Sequence, residues 1–127
     1  MASSNNENKV ALDTNILFSI SQYRVDIFEE IKRLLGKTAF FVSEAVDAEL
    51  DKLKDKHKKE VSIARLLMEK NLVKKVKTKA KKADNSLIEL AEKGYIIATA
   101  DKELKRKVKG KKGRLIYLRQ KKYLEIA

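Results

Sequence analysis

No cysteine occurs among the 127 residues. That excludes disulfides and thiolate-bound metal, and it suits an intracellular, cytoplasmic setting. Proline is also absent, so turns fall to Gly, Asn, Asp and Ser, and element ends are weakly marked. There are four glycines, with no cluster resembling a phosphate-binding loop; Gly110 and Gly113 read as turn residues. Tryptophan is missing and aromatics make up 6%, which leaves the core to aliphatic side chains. No apolar run approaches the roughly 20 residues of a membrane-spanning helix. The start, "MASSNNENK", has no apolar segment of the secretory kind. It reads as a flexible tail over residues 1–8, ahead of a single domain over residues 9–127. The lone histidine, His57, sits in the charged run "KDKHKKE" and is expected to face solvent. No Ser/His/Asp or Cys/His arrangement is available for nucleophilic catalysis.

Charge is abundant and unevenly placed. The net charge is +12. Residues 1–50 carry 5 basic and 8 acidic side chains and residues 51–127 carry 25 and 10, for nets of −3 and +15. A Lys/Glu-rich thermophilic surface raises both signs together and does not account for this excess of one. A strongly basic half points to a polyanion, most simply nucleic acid, bound through its phosphates.

Apolar runs alternate with helical periodicity. "VAL" (10–12), "TAFFVS" (38–43), "YIIAT" (95–99) and "RLIYL" (114–118) read as strands, and "LVKKV" (72–76) as an edge strand guarded by its lysines. Val25, Ile27, Phe28, Ile31, Leu34 and Leu35 recur at helical spacing before Gly36. Further helices are marked by Val46, Leu50 and Leu53 behind a Ser43 cap, and by Val61, Ala64, Leu67 and Met68. Leu87, Leu90 and Ala91 mark another that stops at Gly94, and Leu104 and Val108 one that stops at Gly110. Continuous apolar strands joined by amphipathic helices imply a three-layer α/β/α domain around a mostly parallel sheet.

Four carboxylates then share an address. Ligands of an open parallel sheet bind beyond the C-terminal strand ends. Asp13 follows the first strand, Asp101 lies two residues past Thr99, and Asp84 begins the helix feeding that strand. Glu49 falls roughly 65° from the centre of the Val46–Leu50–Leu53 stripe, against roughly 95° for Asp47 and 135° for Asp51. It therefore flanks the buried face. Taken singly, Asp84 and Asp101 are good helix N-caps, Asp13 with Asn15 could form a side-chain-stabilised turn, and Glu49 could reach solvent. Taken together, like charges at one edge repel unless cations neutralise them. All-oxygen donors point to Mg²⁺ or Mn²⁺ and away from zinc.

The stretches "ALDTN", "EAVDAEL", "ADNSLIELA" and "IIATADKEL" resemble the four acidic motifs of PIN-domain nucleases, in order and over nearly the whole chain. "YIIATADKELKRKVK" and "LIYLRQKKYLEI" are most similar to archaeal relatives of the PIN endonuclease of small-subunit pre-rRNA processing. The resemblance implies a metal-dependent endoribonuclease, with Asp13, Glu49, Asp84 and Asp101 as both catalytic and metal-binding acids and Asn15 and Thr99 in support. Two ions held by these acids would act on the scissile phosphate, leaving 5′-phosphate and 3′-hydroxyl ends. Where many relatives have adjacent aspartates this chain has Asp84–Asn85, and the spacing to Ala91 favours Asp84. Lys81, Lys82, Lys102, Lys105 and Arg106 are candidate phosphate contacts, although for any one lysine taken alone a solvated helix face is the better explanation. The expected substrate is ribosomal RNA or its precursor. Alternatives are a toxin RNase of a toxin–antitoxin pair, or a non-catalytic RNA-binding assembly factor. A homodimer is also consistent with the resemblance.

Overall fold

The computed structural model describes residues 7–119 and 123–127. Its elements run β1 (Asn8–Leu12), α1 (Thr14–Tyr23), α2 (Ile27–Leu35), β2 (Thr38–Ser43), α3 (Glu44–Leu53) and α4 (Lys58–Lys70). The second half continues β3 (Lys74–Val76), α5 (Ala83–Glu92), β4 (Ile96–Thr99), α6 (Lys102–Gly110), β5 (Leu115–Arg119) and β6 (Tyr123–Ile126). The six strands form one sheet in the order β3-β2-β1-β4-β5-β6. Every pairing is parallel except β5 with β6. The expected three-layer α/β fold is therefore present, with an antiparallel edge that the sequence reading did not contain.

The innermost strands are those whose side chains are apolar on both faces. Val10, Ala11 and Leu12 in β1 and Ile96, Ile97 and Ala98 in β4 are all buried. A parallel sheet covered by helices on both sides requires such runs. β3 is the edge strand its lysines suggested. Asn8, placed by the sequence in a tail over residues 1–8, instead opens β1, and its side-chain amide donates to the Leu35 carbonyl at 3.0 Å. The rest of that stretch, through residue 6, lies outside the described residues.

Helix α1 is the largest departure from expectation. Asp13 is its N-cap, with φ −83° and ψ 157°, and its side chain accepts from the Thr14 amide. Ile16, Leu17 and Ile20 then form the buried stripe. The polar triplet Asp13–Thr14–Asn15 is a strand end, a cap and a first helical turn in immediate succession. α2 closes as expected at Gly36, whose φ of +80° suits glycine. Phe28 of α2 packs edge-on against Phe40 of β2, with ring centroids 4.9 Å apart.

The topology locates a crevice. From β1 the chain moves outward to β2 and β3, whereas from β4 it moves the opposite way to β5. Right-handed crossovers in opposite directions put their helices on opposite faces, opening a gap beyond the C-terminal ends of β1 and β4. Asp13 and Asp101 follow those two strand ends.

Candidate active site

Asp13 is 4% exposed. Its Oδ1 accepts from the Thr14 amide at 2.8 Å and its Oδ2 from the Thr99 hydroxyl at 2.7 Å. Burial is the main force pushing its carboxyl up to about 6. The Thr99 and Thr14 hydrogen bonds oppose that rise, and the negative charges of Asp84 and Asp101 add to it. Asp84 and Asp101 thus lie within electrostatic reach of Asp13.

Thr99, the last residue of β4, joins two of the acids. Besides donating to Asp13, its hydroxyl oxygen accepts from the Asp101 amide at 3.0 Å. Asn15 steadies the same turn, its side-chain oxygen accepting from the Ala100 amide at 3.0 Å. Asp101 caps α6, accepting from the Glu103 amide at 2.9 Å. The capping account of Asp101 is therefore correct, and it leaves Asp101 beside Thr99 and Asp13.

Glu49 reaches the site through Thr14, whose hydroxyl donates to its Oε1. Its neighbours on α3 have other partners. Asp47 pairs with Arg65 and, at 3.7 Å, with Lys75, and Asp51 pairs with Arg65 at 3.3 Å. The angular argument that singled out Glu49 agrees with this division. Thr14 was not anticipated as part of the site. Its only local signal is a hydroxyl following a strand-end carboxylate.

Asp84 is not an N-cap, the role that explains it when taken singly. The N-cap of α5 is Lys82, without a side-chain capping bond, and Asp84 lies in the first turn. It lines a cleft of about 460 Å³ together with Glu49, Lys52, Lys81 and Lys82. Asn85 instead lines a separate recess with Glu89 and Lys93. The walls of the cleft are tied by a buried hydrogen-bond chain. The Val46 amide donates to Ser43 Oγ (3.0 Å), Ser43 and Ser86 hydroxyls bond at 2.7 Å, and Ser86 donates to the Ala83 carbonyl (2.6 Å). Because the Ser86 proton is committed to Ala83, Ser43 is the donor between the two serines.

The basic candidates divide. Lys81 and Lys82 face the cleft that holds Glu49 and Asp84. Lys102 is exposed at the start of α6. Lys105 lies over the Tyr117 ring, 4.2 Å from its centroid, and Arg106 pairs with Glu103. His57 is half-buried against Phe18, centroids 5.5 Å apart, and not simply solvent-facing.

Among the described residues, no ion pair reaches Asp13, Glu49, Asp84 or Asp101. Nor are three acidic or histidine side chains gathered into a ready-made coordination group. The donor set still fits a hard divalent cation: every donor is a carboxylate oxygen, and Asp13 is a buried acid lacking a compensating charge. Asp13, Glu49, Asp84 and Asp101 are the residues that would hold it.

A model of the PIN-like domain matches residues 10–121. Ribonuclease VapC9 of Archaeoglobus fulgidus is 36% identical over 124 residues, covering 93% of this chain and 89% of that one. Ribonuclease VapC4 of Methanocaldococcus jannaschii is 34% identical over 127 residues, covering 93% and 95%. In fold, the chain is similar to the PIN domain endonuclease Utp24, with a TM-score of 0.80 at 24% identity over 95% of this chain and 92% of that one. The mostly parallel six-stranded sheet flanked by helices is that of a PIN-like domain. This chain belongs to the PIN family.

Proposed function

We propose that the protein is a divalent-metal-dependent endoribonuclease acting in the cytoplasm. The observation that carries this reading is the linkage of four acids at the switch point of the sheet. Thr99 bridges Asp13 and the Asp101 backbone, Thr14 bridges to Glu49, and Asp84 shares a cleft with Glu49. Asp13, Glu49, Asp84 and Asp101 would hold Mg²⁺ or Mn²⁺, which would supply charge neutralisation at the scissile phosphate and activation of a water. The chain's own residues do the positioning. Thr99 fixes the Asp13 carboxylate and the turn carrying Asp101, and Thr14 turns Glu49 toward them. Lys81 and Lys82 supply phosphate contacts along the cleft wall. Hydrolysis would break the bond from phosphorus to the 3′-oxygen, leaving a 5′-phosphate.

Purified wild type and Asp101→Asn, compared on end-labelled RNA with Mn²⁺ or Mg²⁺, test this. Cleavage lost both with EDTA and in the variant supports it. Equal cleavage by both proteins removes Asp101 from the site. RNA binding without cleavage by either protein moves the function to a non-catalytic assembly factor.

For the cellular setting, the motif resemblance supports processing of ribosomal RNA. A toxin RNase is the second reading, favoured by the two VapC relatives at 36% and 34% identity. Co-sedimentation with ribosomal particles would support the first. Growth arrest on expression, relieved by a co-encoded partner, would support the second. A homodimer belongs to this proposal as well, and sedimentation of the purified chain tests it.

A further inference from the structure

Glu89 lies on α5, five residues beyond Asp84, and lines a different recess. Its Oε1 accepts from the Lys79 and Ala80 amides, each at 3.0 Å, and its Oε2 also accepts from the Lys79 amide at 3.0 Å. The Thr78 hydroxyl reinforces the same turn by donating to the Ala80 carbonyl at 2.9 Å. These bonds grip the backbone of a segment with lysines at 77, 79, 81 and 82, whose mutual repulsion favours spreading. Glu89 also pairs with Lys93 on its own helix at 3.1 Å. Its carboxyl is held down to about 2, chiefly by the Lys79 and Ala80 amides.

A carboxylate beside a lysine-rich loop would ordinarily pair with the loop's ammonium groups. Here it takes backbone N–H groups from that loop, and its ion pair among the described residues is with Lys93. The loop is held while its lysine charges remain available. The next two residues, Lys81 and Lys82, line the cleft together with Glu49 and Asp84. We propose that Glu89 is a positioning residue for RNA: it clamps the 79–80 backbone so that Lys81 and Lys82 present their charges at the cleft. This rests on the ribonuclease reading for its ligand and adds a residue that touches neither RNA nor the acids.

The test exploits an opposition of signs. Removing an acid from a protein that binds a polyanion tightens binding if net charge is what matters. If positioning matters, removal weakens it. Binding of a fluorescein-labelled single-stranded RNA is measured by anisotropy in EDTA, over a series of salt concentrations. The proteins are wild type, Glu89→Ala, Glu89→Gln, Lys81→Ala/Lys82→Ala, and that double variant combined with Glu89→Ala.

Glu89→Ala should bind about tenfold more weakly, with a log–log salt slope shallower by about one to two, the weight of one or two phosphate contacts. Glu89→Gln, which keeps one acceptor oxygen, should fall between the two. In the Lys81→Ala/Lys82→Ala background the loss should vanish. Circular dichroism confirms that each variant is folded, and Glu89→Gln carries the test if the alanine variant is not. Unchanged or tighter binding by the Glu89 variants overturns the proposal. So does an equal loss in the double-lysine background, which would show a general structural defect. If wild type itself does not bind RNA, the ribonuclease reading fails and this inference with it.

Discussion

Asp13→Asn should abolish cleavage and yet stabilise the metal-free protein at alkaline pH. Asp13 is 4% exposed, and its carboxyl is pushed from an ordinary 3.8 up to about 6. Between those values the folded chain keeps a proton that the unfolded chain has lost. Stability therefore falls as pH rises through the window from about 4 to 6, and the loss is complete above it. A shift of about two units corresponds to about 3 kcal/mol. Asparagine cannot ionise and escapes that loss. Its side-chain oxygen can still accept from the Thr14 amide. The Thr99 hydroxyl would have to turn toward Asn15 Oδ1, now 3.4 Å away, at a cost of about 1 kcal/mol. The net expectation is a gain of about 2 kcal/mol near pH 8, or roughly 6–10 °C in Tm for a chain of this size. The gain should shrink toward zero or reverse near pH 4, where Asp13 is protonated in the folded state and only about half ionised in the unfolded one, so that most of the loss has not yet developed. Urea unfolding of the two proteins in EDTA at both pH values measures it. An Asn variant no more stable than wild type near pH 8, or a gain that persists undiminished to pH 4, would refute the account of Asp13 as a buried, uncompensated acid. Adding Mn²⁺ should stabilise wild type more than the variant, since a ligand that binds only the folded state adds RT ln(1 + [L]/Kd).

Thr99→Val removes the donor to Asp13 and the acceptor for the Asp101 amide. It should cost about 1–3 kcal/mol in urea unfolding. Because the Thr99 bond pulls the Asp13 carboxyl down, the acid limb of the pH–cleavage profile should also move to higher pH. Asp84→Asn should lose cleavage while Asn85→Ala keeps it, since only Asp84 lines the cleft with Glu49; the reverse result would reassign the third acid. Gly113→Ala should destabilise by about 1–3 kcal/mol, as overpacking does. Its Cβ would lie 2.8 Å from Val108 Cγ1 and 3.1 Å from Ala91 Cβ, and a thermal melt unchanged by the substitution would contradict that packing.

How far the sequence could be read depended on whether a feature is local. β1, β2, β4 and β5 were legible because strands buried on both faces must be apolar throughout, and Glu49 because angular position on a helix is a local quantity. The lysines of β3 marked an edge for the same reason. Helix α1 was missed because its first turn, Thr14–Asn15, is polar for the sake of the site, which interrupts the hydrophobic period where a helix would be recognised. β6 was missed because its exposed Tyr123 and Ile126 blur the inward–outward alternation of an edge strand. The start of α5 lies two residues before the cap position that Asp84 offers when taken singly, a precision that cap preferences alone do not provide.

The connections that make a site of these residues join positions far apart in the chain: Thr14 to Glu49 across 35 residues, and Thr99 to Asp13 across 86. Each partner had an adequate local explanation, as a cap, a turn or a solvated flank, so no single position announced its role. Acids assembled at one edge work against folding unless something offsets their charge, and burial does so too; both raise the proton affinity of Asp13, burial first and the charges of Asp84 and Asp101 after it. The destabilisation expected of the metal-free protein and the affinity proposed for a divalent ion therefore have one physical origin, and a substitution that relieves the first should forfeit the second.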